Sequence, residues 1–225
     1  MKITILTENF AGSGFLAEHG LSYLIEHKNV KFLFDVGNTD VFIKNAKALD
    51  INIDDVETVV LSHGHWDHGN GLQYLKNKTL ITHPTSFIKR YREKDNSDIE
   101  LKLSKEEIQE KFNLIESSVP YYLTKDIIFL GSIPRNNSFE AKSTNFIDDF
   151  NQPDFVEDDS ALAVIQNNEI IIITGCSHAG ICNIIEYACK ITGINKIKTV
   201  LGGFHLKQNG VQTKQTIKYL KEKKY

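Results

Sequence analysis

The run Leu61-Ser62-His63-Gly64-His65-Trp66-Asp67-His68 places three imidazoles and one carboxylate within six positions, directly after the apolar stretch Val59-Val60-Leu61. A strand ending this way must deliver its last residues to a site at a sheet edge, so the run constrains the fold and the chemistry together. Imidazole and carboxylate are ligands of zinc, non-haem iron and manganese. His63 and His65 stand two apart, so at a strand end they point the same way. Asp67 and His68 follow after the chain has turned and can face a second ion, which predicts a two-metal site. The alternative is a histidine-rich surface loop. Against it, the 225 residues include eight histidines, and three of them fall here.

The length suits a single domain spanning 1–225 with a large core, and a less regular insertion is expected at about 84–157. The net charge of -3 gives no electrostatic case for nucleic acid or membrane partners. No apolar run approaches the ~20 residues that span a bilayer. Met1-Lys2-Ile3-Thr4-Ile5-Leu6 turns polar too soon for a signal peptide. Cys176, Cys182 and Cys189 are odd in number and close together, which is no disulfide framework and suits a reducing cytoplasm. The expectation is a cytoplasmic protein acting on a small molecule, with room left for a homodimer.

Hydrophobic patterning predicts strands at Ile3–Leu6, Ser22–Glu26, Val30–Asp35, Thr58–Ser62 and Leu80–His83. The second and third are joined by the turn His27-Lys28-Asn29. A helix is expected over Asp40–Leu49, with Asn38 or Thr39 as N-cap, and a short one over Gly71–Lys76. Lys105–Phe112 reads as weakly helical, Ile127–Leu130 as a short strand, and 131–160 as a long polar loop. Ala161–Gln166 and Glu169–Thr174 form a hairpin through Asn167-Asn168. Ala179–Thr192 and Thr213–Lys223 are helices, with a strand at Thr199–Leu201 between them. Strands come in two blocks, each trailed by helices. The fold class this predicts is α/β, two sheets face to face with helices outside, a four-layer αββα arrangement.

Two more histidines occupy matching contexts. His178 lies in Thr174-Gly175-Cys176-Ser177-His178-Ala179-Gly180 and His205 in Gly202-Gly203-Phe204-His205-Leu206, each where an apolar strand meets a glycine-bearing turn. His178 is the expected third ligand for the ion of His63 and His65. Arg135 is a candidate anchor for phosphate or carboxylate, because its planar fork suits both, or else a solvated loop residue. Glu8, beside Asn9 at the end of the first strand, and His19 in a glycine-bearing segment are substrate-side candidates. His27 and His83 read as bystanders.

The pattern H-x-H-x-D-H resembles the signature of the metallo-β-lactamase superfamily. Thr7-Glu8-Asn9, Ala17–Ser22, Leu61–His68, Ile133-Pro134-Arg135, Asp158–Leu162, Thr174–Gly180 and Gly202–Leu206 run in order along nearly the whole chain. Together they resemble one branch: metal-dependent hydrolases related to the archaeal dihydropterin-ribofuranosylaminobenzene phosphate synthases. The resemblance implies the αββα fold and one or two divalent ions, zinc first, with iron or manganese as alternatives. It implies that Asp35 orients the metal loop by hydrogen bonds. It also places Cys176 where a bridging aspartate often stands, leaving a thiolate ligand and a buried inert thiol both open. Asp159, with Asp158, is then a substitute carboxylate ligand or an ordinary acidic turn. Members of this branch continue past the final helix into a strand bearing His-Cys-Thr-Gly. Here the sequence ends at Lys221–Tyr225, so the resemblance implies that this last strand is lacking and that His205 is the local substitute ligand or a catalytic acid.

The implied activity is hydrolysis of a small ester, phosphoester or related substrate by metal-bound hydroxide, the ion lowering the pKa of its water from 15.7 towards roughly 7. Asp67 would orient the nucleophile, and His205 would steady developing charge or protonate the leaving group. Two alternatives stand beside it. One is a transferase joining a pterin to an arylamine, as in the archaeal synthases. The other is a metal-binding protein without turnover.

Overall fold

The computed structural model describes residues 1–206 and 209–223. The chain falls into two compact units, one of residues 1–91 and 97–116, the other of residues 92–96 and 117–225. The expectation at Lys224-Tyr225 lies outside the described residues.

In the first unit, β1 (Lys2–Thr7), β2 (Ser22–His27) and β3 (Val30–Phe34) form an antiparallel meander, and the β2–β3 turn carries Lys28 at φ 54. After α1 (Val41–Ala48) come β4 (Thr58–Val60), the single turn α2 (Trp66–Gly69), β5 (Lys78–Thr82), the short β6 (Arg90–Arg92), α3 (Lys105–Lys111) and β7 (Phe112–Glu116). The main sheet runs β1-β2-β3-β4-β5-β7, with the last three pairings parallel. Phe34 pairs with Val60 and Val60 with Ile81, so three strands end in register at one edge. That register brings Asp35, Ser62 and His63 together, since residues following parallel strands emerge side by side. Beneath them, Leu33, Val36, Phe42, Val59, Leu61 and Leu80 are buried. Each such side chain contributes roughly 1.5–3 kcal/mol, so the edge stands on a rigid floor.

Three local expectations are corrected here. The N-cap of α1 is Asp40, which makes no side-chain cap bond, although the Thr39 hydroxyl still accepts from the Val41 amide at 3.3 Å. Gly71–Lys76 is not an α-helix: a 3-10 turn covers Asn70–Tyr74, with Gly71 pressed against the Val36 carbonyl. Phe112 begins β7 rather than ending α3, because its segment pairs in parallel with β5. The helix before it starts in a capping box, Ser104 Oγ accepting from the Glu107 amide while Glu107 accepts from the Ser104 amide.

In the second unit, β8 (Tyr121–Thr124), β9 (Ile127–Phe129), β10 (Phe146–Asp148), β11 (Ala161–Gln166) and β12 (Glu169–Thr174) precede α4 (Ile181–Thr192), β13 (Ile197–Gly202) and α5 (Val211–Lys223). The sheet order is β13-β12-β11-β9-β8. The β11–β12 hairpin turns on Asn167 (φ 53) and Asn168 (φ 59), the left-handed pair that a two-residue type I′ turn requires and asparagine tolerates. Helix α4 buries Ile181, Ile184, Ile185 and Ala188, spaced three and four apart, in the core under this sheet. The expected long loop at 131–160 holds the short β10 and is tied down at many points. In particular, both carboxylate oxygens of the fully buried Glu140 accept amides in the first turn of α4, from Cys182 and Asn183 at 3.0 Å each.

Candidate functional site

The ligand run of the first unit leaves β4 through Leu61, whose amide donates to the Ile81 carbonyl at 2.9 Å. His63 and His65 point the same way. His63 Nε2 and His65 Nδ1 are 3.1 Å apart, near the roughly 3.3 Å two imidazoles keep about one tetrahedral zinc at 2.0–2.1 Å. Between them Gly64 is obligatory, because a Cβ there would stand 1.8 Å from the Ser86 carbonyl oxygen. His65 caps the single turn α2, so Asp67 and His68 project from a different face of the run. His68 Nε2 lies 3.8 Å from Asp67 Oδ2.

Asp35 organises these rings. It follows β3 in the left-handed region (φ 55) and is fully buried. Its Oδ1 accepts from the Ser62 amide at 2.7 Å. Its Oδ2 accepts from the Ser62 hydroxyl at 2.8 Å and from His68 Nδ1 at 2.6 Å. Because the single hydroxyl proton of Ser62 points at Asp35, its oxygen takes a proton from His63 Nδ1, 2.8 Å away. Both rings therefore carry their proton on Nδ1, and Nε2 is the deprotonated nitrogen of each. One carboxylate thus fixes two histidine tautomers, one directly and one through Ser62. Asp35 thus reaches the run through Ser62 and His68; sequence reasoning missed the Ser62 relay.

On the outer side of the run, His19 is exposed and its Nε2 lies 3.3 Å from Asp67 Oδ2, while its Nδ1 lies 2.7 Å from Asn9 Oδ1. Its ring packs on Trp66 with centroids 5.5 Å apart. Glu18, which sequence reasoning passed over, pins this segment by accepting from the Asn38 and Thr39 amides and the Thr39 hydroxyl. Glu8 turns back on the Phe10 amide at 3.0 Å. His83 is buried with Nδ1 at 2.9 Å from the Thr85 hydroxyl and 3.2 Å from its amide, a role in its own turn.

In the second unit, the ligand atoms of Cys176, His178 and His205 all lie within 4.8 Å of one another. The two imidazole rings have centroids 4.5 Å apart, and the edge of Phe146 packs on His178. Parallel pairing of Thr174 with Gly202 creates this convergence. A Cβ on Gly202 would meet the Thr174 carbonyl oxygen at 1.9 Å. The Gly203 amide donates to the Gly175 carbonyl at 2.8 Å, and the Ser177 hydroxyl to the Gly203 carbonyl at 2.7 Å. The glycine pair in Gly202-Gly203-Phe204-His205 is therefore what lets the two loops touch.

Asp159 is fully buried; its Oδ2 accepts the Ala179 amide at 2.9 Å, while Oδ1 is buried without a hydrogen-bond partner. Burial pushes its carboxyl up to about 7, and neighbouring Asp158 adds to this against the backbone bonds that lower it. The imidazoles of His178 and His205 and the Cys176 thiol, with ligand atoms within 4.8 Å of one another, are a donor set that fits a divalent cation. Arg135 donates to Glu157 at 2.6 Å and to the Val156 carbonyl at 2.9 Å, so its fork already braces the turn leading to Asp158-Asp159. Cys182 is a different thiol from Cys176: burial, with Glu140 beside it, drives its pKa well up, which makes it inert at neutral pH.

Three comparisons place this geometry among known proteins. The model of the metallo-β-lactamase superfamily matches residues 17–188. A 7,8-dihydropterin-6-methyl-4-(beta-D-ribofuranosyl)-aminobenzene-5'-phosphate synthase of Methanocaldococcus jannaschii is 34% identical over 245 residues, covering 99% of this chain and 83% of the synthase. An uncharacterized protein of the same organism is 38% identical over 210 residues, 91% of this chain and 79% of that protein. The crystal structure of a metal-dependent hydrolase of the β-lactamase superfamily superposes with a TM-score of 0.86 at 29% identity, covering 98% of this chain and 83% of that one. The mixed α/β fold expected from the sequence is the one found. With its H-x-H-x-D-H run set on the end of a parallel strand, the chain belongs to the metallo-β-lactamase superfamily, in the branch that includes the dihydropterin-ribofuranosylaminobenzene phosphate synthase.

Proposed function

We propose that the chain is a metal-dependent hydrolase of a small ester, phosphoester or related substrate. In this reading the metal-ligating residues are His63, His65, Asp67 and His68 in the first unit and His178 and His205 in the second, for one or two divalent ions, zinc first, with iron or manganese as alternatives. The observation that supports it most is the Asp35 network, which presents the Nε2 lone pairs of His63 and His68 before any ion arrives. A bound ion would supply Lewis acidity, lowering the pKa of a water from 15.7 towards about 7 and polarising the substrate oxygen. The chain supplies the rest. Asp67, beside His19, orients the attacking water by accepting its hydrogen bond. His205, on an exposed turn, is either the last of these ligands or, instead, the acid that protonates the leaving group. Asp35 and Ser62 keep the rings in one tautomer throughout.

A second reading is favoured by one comparison: the 34% identity to the synthase runs along 99% of this chain. On that reading the same ligands serve a transfer that joins a pterin to an arylamine. Elemental analysis together with turnover of p-nitrophenyl acetate and bis(p-nitrophenyl) phosphate tests the assignment, with His65→Ala alongside. One or two ions per chain and hydrolysis, both lost in the variant, are expected. Metal uptake without hydrolysis of either compound overturns the hydrolase reading and leaves the transferase and the metal-binding protein without turnover. Full activity in His65→Ala overturns the site.

A further inference from the structure

Among the described residues, twelve other than glycine have positive φ. One is Lys28 in the β2–β3 turn, and seven are asparagine or aspartate, types that tolerate the left-handed region. The remaining four are Ala141 (φ 51), Val156 (φ 56), Ser177 (φ 57) and His205 (φ 52). All four line a single cavity of about 160 Å³ in the second unit. A β-branched residue with positive φ is an outlier. Residues in sparsely populated backbone regions persist only where their surroundings hold them, and they gather at ligand sites. Val156 is held at both ends. Its amide donates to Asp154 Oδ1 at 2.8 Å, and its carbonyl accepts from the Asp159 amide at 3.0 Å and from Arg135 at 2.9 Å. The two arms of the loop beside it are tied as well. Thr144 Oγ1 donates to the Asp154 carbonyl at 2.5 Å, and the Asp154 amide to the Phe146 carbonyl at 2.9 Å. The walls are thus fixed before any ligand arrives.

Phe146, Phe155 and Val156 give the cavity an apolar side, while Ser143, Asn145 and Gln212 supply a hydroxyl and two amides. His178 and His205 also line it, with ring centroids 4.5 Å apart. None of the described residues around it carries a carboxylate, an ammonium or a guanidinium. An ion entering there would give up water with no opposite charge in return. A cavity of roughly 150 Å³ accommodates benzene, so one six-membered ring fills this one and a fused pair overfills it. We propose that the cavity is a preformed pocket for an uncharged, single-ring group bearing an amide, ester or hydroxyl, and that it sets which substrates reach His178 and His205. The second clause rests on the hydrolase reading above and adds the bulk and charge of the substrate; the pocket itself stands on the strained walls and their neutral lining.

The probe is 4-fluorobenzamide, followed by fluorine NMR against the full chain. It should bind about 10-fold or more tightly than 4-fluorobenzylammonium, which has the same ring and a charge, and than 6-fluoro-2-naphthamide, which has a second ring. Phe155→Ala removes one aromatic wall. It should weaken 4-fluorobenzamide by about 10-fold and narrow the preference over the naphthamide, with metal content unchanged. Ser143→Trp, at an exposed position on the rim, should close the cavity and abolish binding. Tyr74→Ala, in the separate groove beside α1, should leave binding as it was. Equal binding of the three compounds, or binding that survives Ser143→Trp or is lost in Tyr74→Ala, would overturn the pocket. Binding of 4-fluorobenzamide by a chain that hydrolyses no ester would keep the pocket and overturn the hydrolase reading, whereas ester hydrolysis without such binding would do the reverse. Should Phe155→Ala fail to fold, Ser143→Trp and the unaltered chain still decide.

Discussion

Replacing Asp35 by asparagine changes one oxygen to an amide nitrogen and almost no volume, yet it should disable two ligands at once. The asparagine oxygen would keep the Ser62 amide, which now donates to Oδ1 at 2.7 Å. The amide nitrogen then stands where Oδ2 accepts from Ser62 and His68. Facing a donor, His68 must turn its bare nitrogen inward and move its proton to Nε2. Ser62 must accept instead of donate, which sends its proton to His63 Nδ1 and puts the His63 proton on Nε2 as well. Both lone pairs that the proposed ion would use are then occupied. Loss of one orienting partner costs about 10–100-fold in metal affinity, so two displaced tautomers predict roughly 10²–10⁴-fold, or about 3–5 kcal/mol. At the middle of that range, about 10³-fold, the stabilisation given by a fixed excess of zinc shrinks by about 4 kcal/mol. In a chain this size, that is a loss of roughly 8–16 °C from the zinc-induced rise in Tm. Chelator competition gives the Kd, and thermal unfolding with and without zinc gives the second number. Asp35→Asn binding zinc within about threefold of the unaltered chain would refute the tautomer argument.

Two further outcomes follow from the second unit. Glu140→Ala strands the amides of Cys182 and Asn183 and the Asn137 side chain; at about 1 kcal/mol or more for each buried donor, urea unfolding should show a loss of about 3 kcal/mol, and a loss under 0.5 would contradict the cap. Asp159, raised from 3.8 to about 7 by burial, is protonated more readily in the folded chain than in the unfolded one, so its contribution lowers the stability of the metal-free protein as pH rises from about 4 through 7. The gap corresponds to about 4 kcal/mol. Asp159→Asn should therefore stabilise the metal-free chain by a few kcal/mol at pH 8 and by little at pH 4, a difference that urea unfolding at the two pH values would show or exclude.

The histidine-rich run and the two histidine turns are legible as strand ends because each follows an apolar strand whose end is marked by glycine or serine, so local pattern is enough. Asp35 was legible as a strand terminus, but its reach to Ser62 and His68 depends on the parallel register of β3 and β4, which no window of sequence contains. The same limit hid β7, paired with β5 across some 30 residues, and the bond between Glu140 and α4, more than 40 residues apart. Arg135 shows the converse. Its chemistry suits an anion anchor, and in the fold that capacity is taken up by Glu157 and Val156.

Glu140 has a meaning for ligand choice as well. The amides opening a long helix, with the dipole behind them, are the commonest cradle a fold can offer to a phosphate. In α4 that cradle is already filled by the protein's own carboxylate, seated on the Cys182 and Asn183 amides beneath Gly180. An incoming phosphate would have to displace a buried, triply bonded anion to use it. Any anionic substrate of this chain must be neutralised elsewhere, by bound ions or by cationic side chains, and the helix end serves the architecture alone.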